Sequence, residues 1–187
     1  MDRNITAAQF EAEAFAHLDE LYRTSVRLLR DRTAAEDLTQ EVYLQAWKSY
    51  HKYEPGTNCR AWLYKILFHK LDHYRQRKFT EGQWLKDCDQ ASMESIAGAQ
   101  AVGHALTDAE VLRALGRLPA AYREVLLLAD VEEFAYKEIA ALLSLPIGTV
   151  MSRLSRARSQ LRRALAGVAA SYGITSAANS TAMSANP

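Results

Sequence analysis

The sequence predicts an all-α fold: two small helical domains joined by a flexible linker. Apolar residues recur at three- and four-residue steps through the long segments, and strand-like alternation is nearly absent. The helical pattern occupies 7–79 and 107–167 but fades over 80–106, where Gln, Asp, Ser, Gly and Ala dominate. A chain of 187 residues, 49% hydrophobic and 24% charged, suits one globular domain or two small ones. No internal repeat is present.

The first helix is expected over about 7–29, with Phe10, Ala14, Leu18, Leu21, Ser25 and Leu28 near one face. Thr33-Ala-Ala-Glu36 has the spacing of a capping box. The hydroxyl would accept an orphan backbone N–H while the carboxylate reaches back, opening a second helix to about Tyr50. Leu38, Val42, Ala46 and Trp47 lie on its apolar side, with Asp37, Gln40, Glu41, Leu44 and Lys48 away from it. Tyr53-Glu-Pro-Gly-Thr57 reads as a turn. Asn58 then caps a third helix over about 59–79. Its inner stripe is Leu63, Ile66, Leu67, Leu71 and Tyr74, with Trp62, Tyr64 and Phe68 on the flanks.

After the linker, Thr107-Asp-Ala-Glu110 has capping-box spacing and opens a helix ending before Pro119. Another helix spans about 120–130, with Tyr122, Val125, Leu126 and Leu128 available for packing. Residues 136–158 read as a short helix, a tight turn and a second helix. From Gly148 to Leu165 there are five arginines and no acid. Ile147, Val150, Leu154, Ala157, Leu161 and Leu165 form one stripe to be buried, leaving Thr149, Ser152, Arg153 and Arg156 on the other side. Such a helix suits the major groove of DNA, where arginine can bond two acceptors on guanine. The tail, 168–187, is rich in Ser, Ala, Asn and Thr and reads as disordered.

Net charge is only +1, so a DNA-binding function requires segregated charge. Residues 60–78 hold six Lys/Arg against one acid, while 31–54 carry acids at 31, 36, 37, 41 and 54. The two cysteines, Cys59 and Cys88, lack metal-ligand spacing, and a reduced, cytoplasmic setting is expected. His69 and His73 stand one turn apart without a cysteine or acidic cluster, so no metal or other cofactor is expected. No apolar run approaches membrane-spanning length, the N-terminus does not read as a signal peptide, and no membrane contact is expected. No nucleophile–base pair or phosphate-cradling glycine loop is evident, so no enzymatic activity is expected.

Four blocks in this order resemble a bacterial RNA polymerase sigma factor of group IV, the extracytoplasmic-function (ECF) group. They are Asp37-Leu-Thr-Gln-Glu-Val-Tyr-Leu-Gln-Ala-Trp47, Pro55-Gly-Thr-Asn-Cys-Arg-Ala-Trp-Leu-Tyr-Lys-Ile-Leu67, Leu118-Pro-Ala-Ala-Tyr-Arg-Glu-Val-Leu-Leu127 and the helix-turn-helix. The resemblance covers about 10–165. It implies that 7–79 is sigma region 2, which binds core polymerase and the −10 element, and that 107–167 is sigma region 4, which binds the −35 element. Asp37, Gln40, Glu41, Leu44 and Trp47 would dock on core polymerase. His51, Lys52, Tyr53, Thr57 and Asn58 would form the −10 loop, with charge from Lys65, Lys70, Arg75, Arg77 and Lys78. Trp62 and Tyr64 are the stacking or wedge candidates; core packing is the alternative for Trp62, and helix capping for Asn58. Thr149, Ser152, Arg153, Ser155 and Arg156 would read the −35 element, with Arg158 and Arg162 holding phosphates. The linker would thread through polymerase, and an anti-sigma factor is implied as a further partner.

Three residues depart from the family pattern. Met151 stands where Lys or Arg is frequent, Ala135 where Ser or Thr usually caps, and Ser144 where the turn glycine is common. A stand-alone helix-turn-helix regulator is the competing reading. It requires neither the basic, aromatic 60–78 helix nor the Asp37–Trp47 surface.

Overall fold

The computed structural model describes residues 7–54, 56–80 and 108–171. Eight α-helices run through them: α1 (Ala7–Ala14), α2 (Leu18–Leu29), α3 (Arg32–Ser49), α4 (Cys59–Thr80), α5 (Asp108–Gly116), α6 (Ala120–Leu126), α7 (Tyr136–Leu142) and α8 (Ile147–Ser171). No strand occurs among the described residues. The linker expected over 80–106, the Thr107 cap and residues 172–187 of the expected disordered tail lie outside them; Thr80 itself closes α4.

The N-terminal helices pack through alternate turns. Phe10, Ala14, Leu21, Leu28, Leu38, Val42, Ala46, Leu63, Leu67 and Leu71 are all buried. The single helix expected over 7–29 is instead divided by a 3₁₀ turn, Phe15–His17. That turn rotates the following face, so Leu18, expected on the inner stripe, is 40% exposed. The Thr33–Glu36 capping box does not form. Asp31, in extended backbone, accepts the Ala34 N–H at 3.0 Å, so the helix starts earlier. Glu36 accepts the Tyr22 hydroxyl instead. α2 ends on Arg30, left-handed at φ 61°.

α4 buries more than one stripe. Leu63, Leu67 and Leu71 are joined by Tyr64 and Phe68, expected only on the flanks. Ile66 and Tyr74, expected inside, are half-buried. The buried face is broad because α4 is packed on two sides, by α1 and α3 and by α7 of the other domain.

In the C-terminal domain Val125, Leu126, Leu127 and Leu128 are four consecutive buried residues. An α-helix turns about 100° per residue, so this run requires neighbours nearly all round it. α6 is accordingly central, touching α8 and, across the domain boundary, α2. It passes into a π-helical turn, Leu127–Val131, where the expected helix to 130 would have continued as α. The Glu132 and Phe134 N–H groups close this end on Leu127 O and Leu128 O, each at 2.9 Å.

In the helix-turn-helix, Val150, Leu154 and Ala157 are buried as the period requires. Ile147, assigned to the same stripe, is 43% exposed because it begins the helix at the mouth of the turn. Ser144 takes φ 52° at the turn, the left-handed geometry for which glycine is suited. α8 continues as helix past Gly167 to Ser171, where the sequence pattern had ended.

Candidate nucleic-acid interface

α3 presents Asp37, Gln40, Glu41, Leu44 and Trp47 along one exposed face, at steps of three and four residues. Leu44 is 54% and Trp47 48% exposed. Trp47 also packs its edge on Phe10, with centroids 5.2 Å apart, so it serves its own domain while leaving half its surface free. Phe15 joins this apolar edge, 48% exposed and 5.8 Å from Phe10. Sequence reasoning missed it because a helix through 15–17 would have turned it elsewhere.

The 51–58 loop is built by aromatic packing. Tyr50 and Tyr53 stack at 5.5 Å, and Trp62 lies 4.9 Å from Tyr53. Tyr53 is buried and donates to Thr57 O at 2.8 Å, so it shapes the loop from inside. Gly56, at φ 86°, allows the reversal, closed by the Thr57 N–H on Glu54 O at 3.1 Å. His51, Lys52, Thr57 and Asn58 are exposed. Asn58 Oδ1 accepts the Ala61 N–H at 2.9 Å, so the expected α4 cap is formed. Trp62 is half-buried.

Tyr64 is not an open stacking surface in this arrangement. It is fully buried, edge-on to Phe134 at 4.9 Å. Its hydroxyl lies 2.8 Å from Glu132 Oε2, 2.9 Å from Glu20 Oε1 and 3.2 Å from Thr24 Oγ1. Burial pushes the phenol well above its ordinary pKa, so it stays a donor. Burial likewise raises the Glu132 carboxyl, although Thr24 donates to it at 2.5 Å. Partial burial would raise Glu20 too; the Arg60 guanidinium bonded to it brings it below its usual value.

The other cations on α4 differ in their commitments. Lys65 and Arg77 are exposed. Lys70 pairs with Glu41 at 3.6 Å, tying the loop-side helix to the α3 face. Arg75 bonds to Glu124 of the C-terminal domain. Arg77 and Lys78 flank the Tyr74 ring. His69 and His73 meet at 3.3 Å through their Nε2 atoms, and no group of three or more metal-ligating side chains converges among the described residues.

On α8, Met151, Ser152, Ser155 and Arg156 are exposed, and Thr149 and Arg153 half-buried. Ser152 donates to Thr149 O at 3.0 Å. Arg158, expected on phosphate, instead forks onto Asp130 at 3.1 and 2.5 Å. This bidentate pair fits the planar guanidinium and braces α8 against the π-helical turn. Ala135 offers no side-chain cap to α7, as its lack of an oxygen requires. Glu138 supplies the other half, accepting the Ala135 N–H at 2.9 Å.

Sequence reasoning missed the carboxylates that meet α4. The available signal was charge: 124–138 holds five acids and one lysine, opposite in sign to 60–78.

Comparison with known proteins agrees with the two-part architecture. Residues 15–80 match the family described as sigma-70 region 2, and 108–161 match sigma-70, region 4. The two matches fall on the two helical domains, in the same order along the chain. ECF RNA polymerase sigma factor EcfG of Rhodopseudomonas palustris is 30% identical over 151 residues, covering 80% of this chain and 81% of that one. The chain belongs to the ECF sigma factor family. ECF RNA polymerase sigma factor SigE of Mycolicibacterium smegmatis is 38% identical over 154 residues, 80% of this chain; the chain spans 59% of that relative's length. A solved structure of the sigma factor RpoE in complex with the anti-sigma factor NepR, from Bartonella quintana, superposes with a TM-score of 0.70. It is 31% identical, with 85% of this chain and 98% of that chain covered. No helix among the described residues is long and apolar enough to cross a membrane.

Proposed function

We propose that this chain binds core RNA polymerase, recognises promoters through a −35 and a −10 element, and promotes melting of the latter. α3 docks on polymerase through Asp37, Gln40, Glu41, Leu44 and Trp47. The acids and Gln40 suit a basic, polar partner, and the two apolar side chains supply anchors. The 51–58 loop and Asn58 hold an unstacked base. The exposed cations Lys65 and Arg77 neutralise the strand, while Lys70, Arg75 and Lys78 join them when their present partners yield. Trp62 is the nearest aromatic face. On α8, Arg153 and Arg156 read duplex base edges with Thr149, Ser152 and Ser155, and Met151 supplies apolar contact only. Arg162 holds phosphate, and Arg158 does so only after leaving Asp130. The chain acts as an initiation factor rather than an enzyme, and an anti-sigma factor holds it in check, as the named complex of its structural relative suggests.

The exposed α3 face carries this reading. A stand-alone regulator has no use for an acidic and apolar row, Leu44 and Trp47 half-open, set apart from its DNA-reading helix. Purified protein, sigma-free bacterial core polymerase and a genomic fragment library, followed by sequencing of RNA 5′ ends, test it. Discrete starts sharing two upstream motifs are expected, and Leu44→Ala/Trp47→Ala should abolish them. Specific duplex binding by the protein alone, with no starts, would establish the stand-alone regulator instead.

A further inference from the structure

Four exposed side chains of α4, Lys65, His69, His73 and Arg77, recur at four-residue steps. That step drifts by only about 40° around a helix, so they form one row roughly 18 Å long on its outer face. A cation stands at each end and two imidazoles stand between them. The imidazoles meet closely: their Nε2 atoms are 3.3 Å apart, with ring centroids at 4.5 Å and planes at 74°. Two nitrogens on one zinc ion, each at about 2.0–2.1 Å and spread by the tetrahedral angle, are separated by roughly 3.3–3.4 Å. A square-planar ion would need them at roughly 2.9 Å. The pair therefore already has the bite of a tetrahedral ion.

No group of three metal-ligating side chains converges among the described residues. That argues against a closed structural centre built from them, not against an open chelate with two protein ligands. His73 and Arg77 also border a cleft that holds Asp37 and Glu41 of α3. Those carboxylates offset part of the repulsion that a dication meets on a basic helix, and water and salt screen the rest.

We propose that His69 and His73 chelate a tetrahedral divalent ion of the zinc class, whose outward positions accept a phosphate oxygen of a nucleic-acid strand lying along this row. Imidazole nitrogen selects zinc over magnesium or calcium, and zinc takes oxygen in its remaining positions. The ion turns an interrupted row of charge into a continuous one, from Lys65 through the metal to Arg77. The phosphate half rests on reading α4 as the −10 surface; the chelate stands on the geometry of the pair.

The test uses the full chain, freed of metal by a chelator, at about pH 7.5, where neutral imidazole is available as a ligand. Zinc chloride is titrated while the ring signals of the five histidines are followed by NMR. The His69 and His73 signals should shift together, and magnesium chloride should move neither. His69→Ala or His73→Ala should each weaken zinc binding roughly tenfold or more, since the second ligand acts at high effective concentration. His17→Gln should leave it unchanged. Fluorescein-labelled, random-sequence single-stranded DNA of roughly 20 nucleotides is then followed by anisotropy at about 50 mM salt. Zinc should tighten binding roughly fivefold or more, the weight of about one added phosphate contact, and His69→Ala/His73→Ala should remove that gain. Unmoved ring signals, or zinc affinity indifferent to both alanine changes, would leave a hydrogen-bonded histidine pair and overturn the proposal. Zinc held by the pair without a gain for DNA, while Lys65→Ala/Arg77→Ala weakens DNA binding, overturns the phosphate bridge and leaves the −10 reading standing. DNA binding indifferent to zinc and to Lys65→Ala/Arg77→Ala overturns both.

Discussion

Tyr64→Phe removes one oxygen and keeps the ring, so it separates the two uses of this side chain. The hydroxyl stands among Glu20, Glu132 and Thr24 at 2.9, 2.8 and 3.2 Å. It has one proton and can donate to one carboxylate at a time. The Thr24 proton is directed to Glu132 at 2.5 Å, so Tyr64 gains little from Thr24. The loss is therefore one charge-assisted bond, about 1.5–3 kcal/mol, not three bonds. Glu132 retains Thr24 and Arg60, which limits the cost of the vacancy. A loss of ~2 kcal/mol is expected in urea unfolding, or roughly 4–8 °C in Tm for a chain of this size. A loss below about 0.5 kcal/mol would refute the reasoning, since an exposed hydroxyl costs no more than that. If the ring stacks on a base in the open complex, transcription should survive Tyr64→Phe and fail in Tyr64→Ala.

Arg123 donates to four carbonyls, Leu115, Gly116, Leu118 and, across the boundary, Leu28, at 3.0–3.1 Å. Arg123→Ala should cost about 3 kcal/mol in denaturant unfolding, less than four full bonds because water reaches some of the carbonyls. Ala135 already has extended backbone and the Glu138 half of a capping box. Ala135→Ser should therefore add about 1 kcal/mol and raise Tm by roughly 2–4 °C in a calorimetric scan. Arg153→Ala should relax −35 preference by about 1–3 kcal/mol in competition binding to a randomised duplex library; a uniform loss across all sequences would make it a phosphate contact.

Much of the fold was legible because its signals are local. The 3.6-residue period located α4 and α8, Asn58 announced its own cap, and Ser144 stood where a left-handed residue was needed. Errors fell where two local signals competed. Asp31 outcompeted Thr33 as cap because it sits earlier with a charged acceptor. The turn at Phe15–His17 broke a period that continued through it in the sequence. The surface residues on α3 and α8 were legible for the same reason: what a helix does not bury, it displays.

The sequence by itself determined the two helical domains, the family they belong to and the central buried stripes of α3, α4 and α8. Tertiary structure alone decided that Tyr64 is buried, that Arg158 is spent on Asp130, and that Glu124, Glu132 and Glu138 lie against α4. Those contacts join residues 28 to 80 positions apart. Local periodicity has a reach of one or two helical turns. Charge complementarity acts through space, and no spacing along the chain records which acid will meet which arginine.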